Sequence, residues 1–146
     1  MKRFFSLFLI VFICLWNAQT VQISSMEPKL AESIHRLDQL MEKNDGKILN
    51  ILSPDVSFSH SNGWVQNFED FKKDFNSKKV IYKNIDQIEV SEAKKYKNVY
   101  SIRRKIKVFG LYKSQNFEMM LGLLEIWKKE KSVWKLWSRQ SVEIKP

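Results

Sequence analysis

From Tyr82 onward the chain is a succession of strand-like segments separated by short turns, and this limits the fold more than anything else in the sequence. The clearest segment is 98–108, where Tyr100, Ile102, Ile106 and Val108 alternate with Ser101, Arg103, Lys105 and Lys107. A period of two residues marks a strand with one buried face. Residues 82–90 form a strand before it, and Lys94, Lys95, Lys97 and Asn98 mark the turn between them. Residues 117–128 and 133–142 form two more, after turns at 110–114 and 130–132. The segment 117–128 is apolar on both parities, with Met119, Leu121 and Leu123 against Met120, Leu124 and Ile126, which predicts a strand covered on both faces.

The first half of the chain supplies helices. Leu30, Ile34, Leu37 and Met41 recur at spacings of four, three and four, with Leu40 beside them, the stripe of an amphipathic helix. Ser24 and Glu27 resemble a capping box at its start, Pro28 is tolerated in the first turn, and Asn44, Asp45 and Gly46 end it. A short second helix is expected over 47–52, stopped by Ser53 and Pro54. Val56, Phe58 and His60 then alternate with three serines as a strand. Asn62 and Gly63 form a hairpin turn, because both tolerate positive φ, and residues 64–66 return. Asn67 caps a third helix that carries Phe68, Phe71 and Phe75 on one side. The expected class is α+β, a curved antiparallel sheet wrapped around three helices.

Lys2 and Arg3, an apolar run over 4–16 and the small Ala18 read as a signal peptide over residues 1–20, followed by one domain over 21–146. The run is shorter than the roughly 20 apolar residues a membrane span needs. The expected location is therefore exported, periplasmic or extracellular. Removing that segment removes Cys14, the sole cysteine, so no disulfide or thiolate chemistry is expected in the domain. Charge is uneven: residues 72–146 hold 19 basic and eight acidic side chains. Of the 25 basic residues 20 are lysine, whereas nucleic-acid readers lean on bidentate arginine, so no nucleic-acid partner is expected. A weak association with anionic envelope surfaces is the remaining reading of the charge.

The helix with its Leu30–Met41 stripe, the run Asp55-Val-Ser-Phe-Ser-His60-Ser-Asn62-Gly63-Trp64, the phenylalanine helix, Tyr82 and the closing Trp134-Lys-Leu-Trp137-Ser-Arg139-Gln140 occur in a telling order. In these features the chain resembles the nuclear transport factor 2-like superfamily, also called the cystatin-like fold, and within it the domain of unknown function 4440 or SnoaL-like branch. The resemblance implies a conical barrel with a pocket at its open end. It also implies a homodimer formed through the sheet face. Members include isomerases, dehydratases, cyclases, transport adaptors and oligomerisation domains, so the resemblance does not select an activity.

His60 is the leading functional residue, a group able to act as general acid/base or as a hydrogen-bonding anchor near neutral pH. Asn62, Trp64, Tyr82, Trp127, Arg139 and Gln140 are further ligand-binding candidates, with Glu125 as an orienting carboxylate. Strict alternation puts Trp134, Leu136, Ser138 and Gln140 on one strand face and Val133, Lys135, Trp137 and Arg139 on the other. An inward Arg139 would suit a carboxylate or phosphate ligand, but an outward one, at the surface or a dimer contact, is expected. His35 and His60 lie on different elements, so no metal site is expected, and no pattern calls for a cofactor. The expected function is an exported domain binding a small organic ligand, anchored by His60. One alternative is an isomerase, dehydratase or cyclase working through His60. The other is an interaction module that binds an anionic envelope partner through its basic sheet.

Overall fold

The computed structural model describes residues 26–145. The expected signal segment over 1–20 and Ser24 of the expected capping box lie outside them, and the cap position of the first helix is Glu27, with no side-chain cap bond. The elements in order are α1 (Pro28–Glu42), a 3-10 helix (Gly46–Asn50), β1 (Leu52–Ser59), β2 (Val65–Gln66), α2 (Phe68–Asn76), β3 (Val80–Tyr96), β4 (Val99–Tyr112), β5 (Gln115–Glu130) and β6 (Val133–Ile144).

β3 to β6 pair antiparallel in sequence order, as their alternation predicts. The strands run longer than the periodic segments because the turns are short. Lys113-Ser114 and Lys131-Ser132 hold both residues at positive φ, 48° and 67° in one turn and 46° and 70° in the other. Positive φ at both positions gives a twist that matches the flanking strands. Doing this without glycine costs about 1–2 kcal/mol per residue. Gly110, expected in a turn, lies within β4 opposite Tyr82 and Phe117. A Cβ there would run into the Ile81 carbonyl oxygen and the Phe117 ring, so this glycine permits close approach rather than a bend.

The class is α+β, and the sheet is open, with strand order β2-β1-β6-β5-β4-β3. β1 runs parallel to β6, so the sheet departs from the expected antiparallel pattern at that one junction. Nothing local announces this pairing, because the partners are separated by the whole of β3 to β5. The three expected helices are two α-helices and one 3-10 turn. In the latter the Asp45 carboxylate accepts from Lys47 N at 2.9 Å, and the chain is already extended at Leu52. Ser53 precedes a proline and is driven into the extended region, which starts the strand before Pro54 instead of after it.

α1 presses Leu30, Ile34, Leu37 and Met41 onto the sheet, each 2% exposed or less. Burial of each contributes about 1.5–3 kcal/mol and holds the helix in place. α2 begins at Asn67, whose side chain accepts from Asp70 N at 2.9 Å, and buries Phe71 against β1. Ile102, Arg104, Ile106 and Val108 of β4 and Leu121, Leu123, Glu125 and Trp127 of β5 form the helix-facing side of the sheet. The other parity of β5 (Met120, Leu124, Ile126) is half-buried on the outer side, where no described element lies over it. The expected covering of both faces is thus complete on one side only.

Candidate functional site

A cavity of about 400 Å³ opens between α2 and the helix-facing side of the sheet. One wall is a run of rings, Phe58 against Phe71 at 5.0 Å and Phe71 against Phe75 at 5.6 Å. The opposite wall is Val108, Phe117 and Met119 from β4 and β5. Trp64 and Lys79 stand at its edge, and Met41 and Arg139 also line it. The volume lies in the range of small-molecule pockets, about 300–1,000 Å³.

His60 follows directly on β1 and is held by the hairpin: His60 N donates to the Trp64 carbonyl at 2.8 Å and Gly63 N to the His60 carbonyl at 3.0 Å. Gly63 has φ of 84°, and the Asn62 side chain accepts from Trp64 N at 3.0 Å, so both residues serve the turn. The imidazole stacks on Trp64 with centroids 5.1 Å apart and planes 17° apart. Lys79 Nζ lies 5.0 Å from the Trp64 ring. His60 Nε2 is 2.6 Å from Gln66 Oε1, while Gln66 Nε2 donates to Asp74 Oδ2 at 3.0 Å. The carboxylate can only accept, which fixes the amide orientation and in turn requires the proton of neutral His60 on Nε2. Nδ1 is then the nitrogen able to take a proton. Burial holds the imidazole below its ordinary pKa; the Gln66 bond offsets part of this and the Arg139 charge adds to it.

Arg139 reaches the cavity through an irregularity. Trp127 pairs with Leu136 and Ile126 with Ser138, so Trp137 is an extra residue, a β-bulge. Downstream of it the parity changes, and Arg139 and Ser141 join Trp134 and Leu136 on the buried face. The expectation of an outward Arg139 is corrected by this insertion: the residue is 3% exposed. The bulge is clamped on the outer side, where Trp137 Nε1 donates to Asp55 Oδ2 at 3.0 Å and Lys128 donates to Asp55 Oδ1 at 2.7 Å.

Beneath the cavity lies a second buried arginine. Arg104 donates to Asp38 at 2.6 and 2.8 Å, to Glu125 at 3.1 and 2.9 Å and to Gln87 at 3.0 Å. Burial opposes its charge, yet the two carboxylates outweigh burial and raise its pKa above the ordinary value. Trp127 Nε1 also donates to Glu125, at 3.1 Å. Glu125 therefore belongs to Arg104 and Trp127 and does not orient His60. This network ties α1 to β4 and β5 and is structural.

His60, Asn62, Trp64, Tyr82 and Arg139 line the cavity together. Trp127 does not: it is wholly buried in the core behind Glu125. Gln140 does not either, since the bulge leaves it exposed on the opposite face. Gln66 and Asp74, which complete the His60 chain, escaped the sequence reading. The available signal was Gln66 as the polar end of a two-residue strand, followed by a helix whose inner side carries one acid among phenylalanines. Among the described residues no group of three or more metal-ligating side chains is clustered, and no helix is long and apolar enough to cross a membrane.

No family model and no curated protein matches this sequence. Solved structures do. A nuclear transport factor 2-like protein of unknown function in nutrient uptake from Rhodospirillum rubrum superposes with a TM-score of 0.75, at 19% identity over 80% of this chain and 98% of the other. The protein has the nuclear transport factor 2-like fold. A second protein of this type, from Cytophaga hutchinsonii, gives a TM-score of 0.74 at 17% identity, covering 82% of this chain and 100% of its own. An uncharacterised cystatin-like protein from Caulobacter vibrioides gives 0.66 at 11% identity, covering 81% and 89%. At these identities the likeness is one of fold, and the DUF4440 branch in particular is not singled out.

Proposed function

We propose that this domain binds a small, largely apolar organic molecule in the cavity between α2 and the sheet, with His60 as a polar anchor. The observation that carries this reading is the lining itself: aromatic and aliphatic side chains enclose about 400 Å³, and a few polar groups are set among them. The neutral fluorophore Nile red tests it. Saturable binding by the wild type is expected, and Met119→Trp, which fills the cavity from β5, should abolish it. Equal fluorescence from both proteins would overturn the reading. His60→Ala should weaken binding about tenfold, the value of one buried hydrogen bond.

A second reading, proton-transfer catalysis of the isomerase, dehydratase or cyclase kind, has one specific observation in its favour. The His60–Gln66–Asp74 chain fixes one imidazole tautomer and leaves Nδ1 as a base near neutral pH. It ranks second because an amide separates the imidazole from the carboxylate. The remaining proposals concern context. We also propose that residues 1–20 are a cleaved export signal, and recovery of the protein with Met1 retained would refute the cleavage. A homodimer through the outer sheet face would cover Met120, Leu124 and Ile126. A monomer mass by light scattering would exclude it. The interaction-module reading is weakest, because outward Arg103, Lys105 and Lys107 of β4 lie within 3.7, 3.2 and 2.7 Å of glutamate oxygens.

A further inference from the structure

Arg139 differs from Arg104 in what it touches. Its Nε is buried and has no hydrogen-bond partner among the described residues. Its Nη1 reaches only the Met41 sulfur at 3.8 Å and a Glu125 oxygen at 3.7 Å, the latter beyond hydrogen-bond distance. Glu125 has little left to offer, because Arg104 and Trp127 already donate three bonds to its two oxygens. Phe58 supplies a face under the guanidinium at 5.0 Å but no acceptor. The Nε–Nη2 edge of Arg139 is therefore empty among the described residues, while Arg104 presents that same edge to Glu125. A buried donor of this kind is destabilising for as long as nothing accepts from it.

Two other donors line the same cavity. The Tyr82 hydroxyl and the Ser141 hydroxyl make no hydrogen bond among the described residues, and both residues flank the cavity with Arg139. Ser141 follows Arg139 on the same buried face of β6. We propose that the cavity's ligand is a monocarboxylic acid, whose carboxylate seats on the Arg139 Nε–Nη2 edge within reach of Tyr82 and Ser141, and whose apolar body lies along Phe58, Phe71 and Phe117. This deepens the binding reading above and rests on it. A planar carboxylate matches the guanidinium fork with two parallel bonds. A dianionic phosphate fits less well, since Glu125 lies 3.7 Å from the one guanidinium offered. At the cavity edge the Lys79 charge is balanced by Asp74, 3.5 Å away, so Arg139 is the cation that selects the ligand's charge.

The test is calorimetric titration of the protein with octanoate, octanamide and octyl phosphate at fixed pH and salt. Octanoate should bind about 10- to 100-fold more tightly than octanamide, the value of charge-assisted bonds. Arg139→Met should erase that ratio, with octanoate losing far more affinity than octanamide. Tyr82→Phe removes one donor without touching the charge, and should weaken octanoate about three- to tenfold, more than it weakens octanamide. It carries the test should Arg139→Met fail to fold. Equal binding of octanoate and octanamide would overturn the carboxylate proposal and leave the Nile red result standing. Tighter binding of octyl phosphate than of octanoate would overturn it as well. Absence of all binding, Nile red included, would instead bring down the pocket reading itself.

Discussion

Two buried arginines of different standing allow a sharp prediction about stability. Arg104→Met removes all five hydrogen bonds made by the Arg104 guanidinium and strands Asp38 and Glu125, which are 8% and 0% exposed. Removing one partner of a buried ion pair costs about 3–5 kcal/mol, because the remaining charge has lost both water and counterion. That is a large share of the roughly 5–15 kcal/mol that holds a domain of this size folded. Arg139→Met removes just as much charge, but the bonds lost are a sulfur contact and a distant ion pair. The lost attraction to Phe58, about 0.5–2 kcal/mol, is offset by the disappearance of an unpartnered buried donor, about 1–3 kcal/mol. Arg139→Met should therefore cost no more than about 1 kcal/mol and is expected to be neutral or stabilising. Urea unfolding near pH 7 without ligand, followed by far-ultraviolet circular dichroism, measures both, provided the two variants share the wild-type m-value. Equal losses in the two variants, or a larger loss for Arg139→Met, would refute the division into a satisfied and an unsatisfied arginine.

Gly110→Ala should destabilise by about 1–3 kcal/mol, since its Cβ meets the Ile81 backbone and an aromatic ring; an unchanged urea midpoint would show that β3 can yield. Replacing Lys131-Ser132 by Asn-Gly should stabilise by about 1 kcal/mol, because both positions sit at positive φ, and a lower midpoint would contradict the turn geometry. His60 should titrate below the ordinary imidazole value of 6.5 by nuclear magnetic resonance, since burial disfavours its cation. The unfolded chain then binds that proton more tightly, so this group lowers stability as pH falls through 6.5 and adds no further loss below its folded pKa. A His60 midpoint at or above 6.5 would refute the buried neutral imidazole.

The long strands and the first helix were legible because their patterns are local. Alternation along 98–108 and the stripe from Leu30 to Met41 each report a single buried face, and the sheet honours both. The parallel junction of β1 with β6 was not legible, since a strand's pattern states that it has a buried face but not who lies beside it. Gly110 misled because glycine serves turns and close approaches alike, and only the position of Ile81 separates the two. At the site, His60, Trp64 and Tyr82 could be picked from residue type and placement. Gln66 and Asp74 could not, because their importance lies in side chains that meet only when α2 folds back on the hairpin. Counting by twos puts Arg139 on the wrong face because it assumes a strand without insertions.

Trp137 makes the ligand chemistry of the cavity a matter of register. Were Trp137 drawn into the ladder opposite Ile126 instead of bulging, every residue beyond it would slip by one, turning Arg139 and Ser141 toward solvent and Gln140 inward. The lining would lose its guanidinium although no residue in contact with the cavity had been replaced. Charge selectivity in a scaffold of this kind therefore depends on an outer-side clamp, Trp137 and Lys128 on Asp55, that keeps the extra residue out of the ladder. For anyone redesigning the cavity, the spacing of β6 is as much a specificity element as the side chains that line it.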